Sequence, residues 1–243
     1  MPATDYVPRS AMVIVAHPDD AEFMVAGTAA TWARTGAEIT YVIITKGDKG
    51  SDDPAMTPSR LTVIREAEQR AAGEILGVKH YVFMGYPDGY LQPTLELRRD
   101  LARIIRQYKP EVVITFDPTN RFVSDDYVNH PDHRAAGDAA MDAVFPSARD
   151  RLTFPELLAD GLEPHKVAQL WLGSAVRPNV WIDIAGVMDL KKAALRAHPS
   201  QLGEEIIAFA EEMGRWGAAG QEDLVFAESF HRIILERPAE ASK

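Results

Sequence analysis

Two short segments of this chain concentrate groups that hold metals and move protons: Ala16-His17-Pro18-Asp19-Asp20-Ala21-Glu22 and Asn129-His130-Pro131-Asp132-His133. His-Pro-Asp occurs in both. Shuffling the chain's own 7 His, 16 Pro and 19 Asp gives that tripeptide only about 0.04 times, so two copies call for an explanation. Three of the seven histidines fall inside the two segments. Cysteine is absent, so a metal here must be held by nitrogen and oxygen, which suits a hard or borderline divalent ion. A catalytic zinc ion takes three such ligands and keeps a fourth position open. His17 and Asp20 share one turn, and His133 can complete a set of three from the facing segment, leaving Asp19 and His130 on either side of the ion. Composition alone does not choose among the members of each segment. Such a division leaves a carboxylate to take a proton from water and an imidazole to steady an oxyanion or protonate a leaving amine. That is the equipment of metal-assisted hydrolysis. A plainer reading makes Asp19 and Glu22 a helix capping box and Pro131-Asp132 an ordinary helix start. Caps, however, have no use for three histidines.

The elements that must position these residues follow from alternating short β-branched runs and longer helical stretches. Residues 11–16 form a continuous apolar run, the mark of a buried strand, and helical spacing over 22–36 follows. Strands are also expected over 38–45, 79–84, 111–116, 167–172 and 179–184. Helices are expected over 58–77, about 94–108, 131–145, 187–197 and 202–216. This order predicts an α/β fold in a single domain over residues 1–243, with a mostly parallel sheet and helices on both faces. Ligands of such sheets bind beyond the carboxyl ends of the strands. Both His-Pro-Asp segments stand there, one after the first strand and one in the long loop after the fourth. Neither a G-x-G-x-x-G nor a G-x-x-x-x-G-K loop occurs, and adjacent carboxylates repel phosphate while attracting a cation.

The 243 residues are 46% hydrophobic and 26% charged, an ordinary globular balance that can bury one sizeable core without disulfides. With 26 Lys and Arg against 36 Asp and Glu, the net charge of −10 speaks against nucleic acid or an anionic membrane as partner. The apolar runs are too short to span a bilayer. Residues 1–10 lack a basic segment leading into an apolar one, so a cytoplasmic protein is the expectation.

The two motifs resemble those of the LmbE-like, or PIG-L, metal-dependent N-deacetylases. Supporting segments are Thr45-Lys46-Gly47-Asp48-Lys49-Gly50, Arg65-Glu66-Ala67-Glu68, Gly85-Tyr86-Pro87-Asp88-Gly89 and Ala197-His198-Pro199-Ser200-Gln201. The resemblance implies a Rossmann-like domain, a Zn²⁺ cofactor (other divalent metals being possible), and removal of an acetyl group from an amino sugar such as N-acetylglucosamine or a small conjugate of it. It also implies a homo-oligomer. Carried over residue by residue, it makes His17, Asp20 and His133 metal ligands, Asp19 the general base and His130 the oxyanion partner or acid. Asp132 would orient an imidazole, and Arg65 and Asp88 would hold sugar hydroxyls. Val128 stands where some members have an oxyanion-assisting tyrosine, and the adjacent Tyr127 receives no role. Alternatives are an amidase for a larger thiol or antibiotic conjugate, and a non-catalytic sugar-binding module.

His198 is placed with the substrate-binding residues, reaching the mouth of its own or a neighbouring subunit's site. His80, His165 and His231 have no motif around them and read as structural. Arg121 and Arg177 follow strand regions, where surface ion pairing competes with a substrate contact. Trp171 and Trp181 sit in apolar patterns and read as core. Residues 154–158 read as a lid or an interface segment.

Overall fold

Continuous apolar character is what a strand needs when both faces of its sheet are covered. In β1 (Ser10–Val15) every residue after Ser10 is buried, and so are all of β4 (Val112–Phe116) and all but the first residue of β2 (Glu38–Thr45). These three lie side by side in the computed structural model, which describes residues 4–236. The ends of the expected 1–243 domain, with part of the segment read for a leader, lie outside those residues.

β1 is followed by α1 (Asp20–Arg34), β2 by α2 (Pro58–Leu76), β3 (His80–Tyr86) by α3 (Leu95–Tyr108), and β4 by a small hairpin, β5 (Phe122–Ser124) with β6 (Tyr127–Val128). Then come α4 (Pro131–Asp142), the short α5 (Glu156–Ala159), β7 (Gln169–Gly173), β8 (Val180–Asp183), α6 (Met188–Arg196), α7 (Glu204–Gly217) and β9 (Ala227–Ile234). The main sheet has the order β3-β2-β1-β4-β7-β9-β8. The first five strands run parallel, and β9 pairs antiparallel with both β7 and β8. Chain order reverses at β1, which has β2 on one side and β4 on the other. That makes the space beyond β1 and β4 the switch point at which such sheets bind ligands. α1, α2 and α6 pack together, as do α3 and α4.

Two local devices fix the helices that carry the motifs. Gly137 lets α4 lie directly on the end of β4, since a Cβ there would stand 2.6 Å from the Phe116 carbonyl oxygen. Behind α1, Lys191 Nζ of α6 lies 2.7 Å from Glu228 Oε1 of β9 and 2.7 Å from the Phe23 carbonyl. Glu228 in turn accepts the backbone N–H groups of Gly27 and Thr28 at 2.9 and 2.7 Å. This buried pair ties three elements together.

Three expectations need correction. The helix predicted over 131–145 ends at Asp142, because Pro146 cannot donate to a helical ladder and drives Phe145 into extended backbone. β9 was not expected as a strand. Its polar residues come in adjacent pairs, Glu228-Ser229 and His231-Arg232, that break both a continuous apolar run and an alternating one, and it enters the sheet antiparallel between strands that precede it in sequence. Residues 154–158 do not stand over the motifs as a lid: Leu157 is fully buried in the core, Asp160 just beyond pairs with Arg103 of α3, and Arg106, at the end of α3 that feeds the start of β4, donates to the carbonyls of Ser147, Ala148, Asp150 and Thr153 just before.

Candidate metal centre and active site

The turn from β1 into α1 places the first motif. Asp19 has φ 89°, a left-handed conformation that asparagine and aspartate tolerate better than other L-residues. It caps α1 without any side-chain capping bond, so its carboxylate is free for other work. The capping-box reading therefore fails at both members: Glu22 is fully buried and bonded to Gln69 and His198. The His17 backbone N–H donates to Asp20 Oδ2 at 2.7 Å, fixing that carboxylate beneath the His17 ring.

The second motif meets the first across the switch point. Asp20 Oδ2 is 3.4 Å from His17 Nδ1, and Asp20 Oδ1 is 3.0 Å from His133 Nε2. Each imidazole is committed at its other nitrogen. His17 Nε2 lies 3.0 Å from Asp88 Oδ1 and 3.3 Å from Asp132 Oδ2. Asp132 is held there by the backbone N–H groups of Gly89 and Leu91. His133 Nδ1 is 3.1 Å from Asn129 Oδ1, and its ring stacks on Phe116 at 4.3 Å. These outer partners are acceptors, so the outer nitrogens carry the hydrogens. In the neutral rings, the inner nitrogens point lone pairs at Asp20.

Three acceptors thus converge, and only a proton or a cation between them makes that favourable. Proton occupancy shows the tension. Burial disfavours charge on His17, yet the Asp20 carboxylate and the bonds to Asp132, Asp20 and Asp88 raise its pKa to about 12. Burial likewise opposes charge on Asp20, but His133 and His17 hold it well below the ordinary carboxylate range. A divalent ion fits the same donor set. Ligands about 2.1 Å from a tetrahedral zinc lie roughly 3.4 Å from one another, close to the two separations between Asp20 and the imidazoles. Two other groups bring one ligand atom each within 4.8 Å of one another, His17 with His130 and His133, and His17 with Asp88 and Asp132. We favour the Asp20 set because Asp88 and Asp132 serve the outer nitrogen of His17. His130 is engaged differently. Its Nδ1 accepts the Asp132 N–H at 3.2 Å, so the neutral ring carries its hydrogen on Nε2.

Asp19 is held from behind. Arg65 Nη2 lies 3.0 Å from Asp19 Oδ2 and 2.6 Å from the Pro18 carbonyl, while Nη1 bonds the Gly47 carbonyl at 2.9 Å. Gln69, one turn on along α2, accepts the Asp19 N–H at 2.9 Å and donates to Glu22. Burial, partly offset by Arg65, pushes the Asp19 carboxyl up to about 6.

Three expected substrate contacts are therefore placed otherwise. Arg65 is buried with its fork spent on two carbonyls and Asp19. Asp88 has one oxygen against His17 and the other accepting the Lys49 N–H at 3.2 Å. His198 is fully buried with Nε2 3.1 Å from Glu22 Oε2, behind the site rather than at its mouth. His80, His165 and His231 bond Glu38, the Pro110 carbonyl and the Arg177 carbonyl, well apart from the motifs in their partners. Trp171 is buried and Trp181 half-buried. Arg121 and Arg177 are exposed. Asn129 and Gln69 escaped the sequence reading. Their signal was helical spacing, Asn129 four residues before His133 and Gln69 four after Arg65.

Residues 12–144, more than half of the chain, match the family model described as PIG-L: GlcNAc-PI de-N-acetylase. The chain belongs to the PIG-L family. Both motifs, Arg65 and Asp88 lie within the matched stretch. Diacetylchitobiose deacetylase of Thermococcus kodakarensis is 31% identical over 82% of this chain and 72% of its own length. A probable N-acetyl-alpha-D-glucosaminyl L-malate deacetylase 2 of Bacillus anthracis is 31% identical over 84% and 86%. Among solved structures, N,N'-diacetylchitobiose deacetylase from Pyrococcus horikoshii superposes with a TM-score of 0.86 at 29% identity, covering 93% of this chain and 84% of that one. This PIG-L member is thus a hydrolase of a deacetylase family. No helix among its described residues is long and apolar enough to cross a membrane.

Proposed function

We propose that this chain removes the N-acetyl group of an amino sugar of the N-acetylglucosamine type, releasing acetate and the free amine. His17 Nδ1, Asp20 and His133 Nε2 would hold a divalent ion, zinc first among those that suit two nitrogens and a carboxylate. The observation that carries this reading is the convergence of those three acceptors beside a carboxylate, Asp19, that is spent on no cap. When bound, the ion polarises the acetamide carbonyl and makes water a stronger acid.

The chain's own residues do the rest. Asp19 takes a proton from water as the water oxygen adds to the carbonyl carbon. Arg65 and Gln69 keep its carboxylate aimed while the proton moves. His130 offers Nε2–H to the carbonyl oxygen as negative charge grows there. The C–N bond then breaks, and the sugar nitrogen receives the proton that Asp19 took. Asp132 and Asp88 keep the His17 ring turned so that its inner lone pair faces the ion. A sugar-binding module would not need an aspartate in left-handed backbone braced by a buried arginine, which tells against the non-catalytic reading.

Metal analysis with an acetate-release assay tests this. About one divalent ion per chain is expected, lost in His17→Ala and in His133→Ala, with acetate released from N-acetylglucosamine or its disaccharide. Full occupancy in both variants would overturn the ligand set. No acetate from any N-acetyl sugar with zinc supplied would overturn the reaction.

A further inference from the structure

A cleft of about 750 Å³, within the range of small-molecule sites, lies beside the metal centre, and the same elements border both. Phe23 and Met24, on the cleft, come one turn after Asp20 on α1. Asn120, also on the cleft, accepts Asn129 Nδ2 at its carbonyl, and Asn129 Oδ1 holds His133. The far wall is α7. Phe209, Met213 and Trp216 recur at four- and three-residue spacing and so form one stripe, with the Phe209 and Trp216 rings edge to face at 5.0 Å. Facing them from the exposed hairpin are Val123 and Tyr127. Trp216 and Tyr127 are 61% and 55% exposed, a large apolar outlay for a surface that nothing in the fold covers.

Charge decides what this cleft can take. Among its described lining residues the one cation is Lys191, whose side chain is 2% exposed and bound to Glu228 and the Phe23 carbonyl. The other charged residues there, Asp126 and Glu228, are acidic. An anionic group would find no free positive partner and one exposed carboxylate. A neutral ring with apolar C–H faces meets aromatic side chains, with the polar groups of Ser124 and Ser174 between them.

Resting on the deacetylase reading above, we propose that this cleft binds the part of the substrate beyond the reacting sugar and selects a neutral second pyranose over an anionic conjugate. Kinetics on N-acetylglucosamine, N,N'-diacetylchitobiose and N-acetylglucosaminyl malate test it, with calorimetric titration of the same three compounds into the zinc-loaded protein. The disaccharide should show the highest kcat/KM and the tightest binding. Trp216→Ala should raise KM for the disaccharide about 3- to 10-fold, the scale of one lost ring contact, with kcat and monosaccharide turnover nearly unchanged. Trp216→Tyr should restore most of it. Asp126→Lys should narrow the gap between the malate conjugate and the disaccharide. Preference for the malate conjugate, or equal loss on mono- and disaccharide in Trp216→Ala, overturns the proposal. Tighter binding of the disaccharide with no acetate released supports the cleft and overturns the deacetylase reading instead.

Discussion

Asp19 is the residue on which binding and chemistry part company. It touches no inner ligand atom, and its carboxylate is held by Arg65 at 3.0 Å. Asp19→Asn preserves size and backbone preference and removes only the capacity to accept a proton. It should keep the metal while kcat falls roughly 10²- to 10⁴-fold. Paired metal analysis and acetate release check this, and an unchanged rate removes Asp19 as the base. At this scale the sequence was most legible where residue type alone restricts chemistry. Repeated His-Pro-Asp singled out two turns that the fold does bring together, because few side chains bind metals. It could not show which nitrogen of each histidine faces inward, since Asp88, Asp132 and Asn129 decide that from elsewhere in the chain. His198 was misplaced for the same reason: its partner Glu22 stands far away in sequence, and no local pattern reveals a buried pair.

Among the elements, α1 carries the greatest burden, because its first turn holds the site and its second and third rest on Lys191 and Glu228. Removing one member of a buried ion pair leaves the other uncompensated, a loss of about 3–5 kcal/mol. Lys191→Met should lower unfolding free energy by that order in urea titrations. The double variant Lys191→Met/Glu228→Gln should recover part of it, and full additivity of the two single losses would show that the pair is not coupled. Strands buried on both faces were read to within a residue or two, since a continuous apolar run has few other uses. β9 and the hairpin were not. β9 is set by partners distant in sequence, while the hairpin has strands of two and three wholly exposed residues, and neither leaves much trace in hydrophobicity.

For the whole molecule, the alternation of strands and helices was enough to give the parallel sheet and its switch point. What it could not give was the antiparallel edge built from the last strand. Acid stability offers a test at this scale. Glu111, which leads into β4, receives the Tyr6 hydroxyl at 2.7 Å and the Arg9 backbone N–H at 3.1 Å, tying the start of the chain to the sheet. Burial raises its pKa, but these bonds and the Arg9 charge outweigh burial and leave it lowered in the folded protein. The sign follows: this tie is in force above the unfolded-state pKa and is lost as pH falls through the lower, folded value. Glu111→Gln should therefore lower Tm at pH 7, and its difference from wild type should hold down to about pH 4.5 and shrink below it. A constant difference would mean that the carboxylate charge is irrelevant to the tie.

The inner nitrogens of His17 and His133 belong to residues 116 positions apart, brought together only when β1 and β4 lie side by side. Neither half of the chain alone offers all three of the proposed donors, His17, Asp20 and His133. An ion closing that long loop cannot guide the early search for the sheet, and it acts only on molecules that have already found it. It behaves as a latch rather than a seed. Stopped-flow measurements with and without zinc should show unchanged refolding rates and markedly slower unfolding. A chain starved of metal would then still fold, and would be lost to proteolysis by coming open too often.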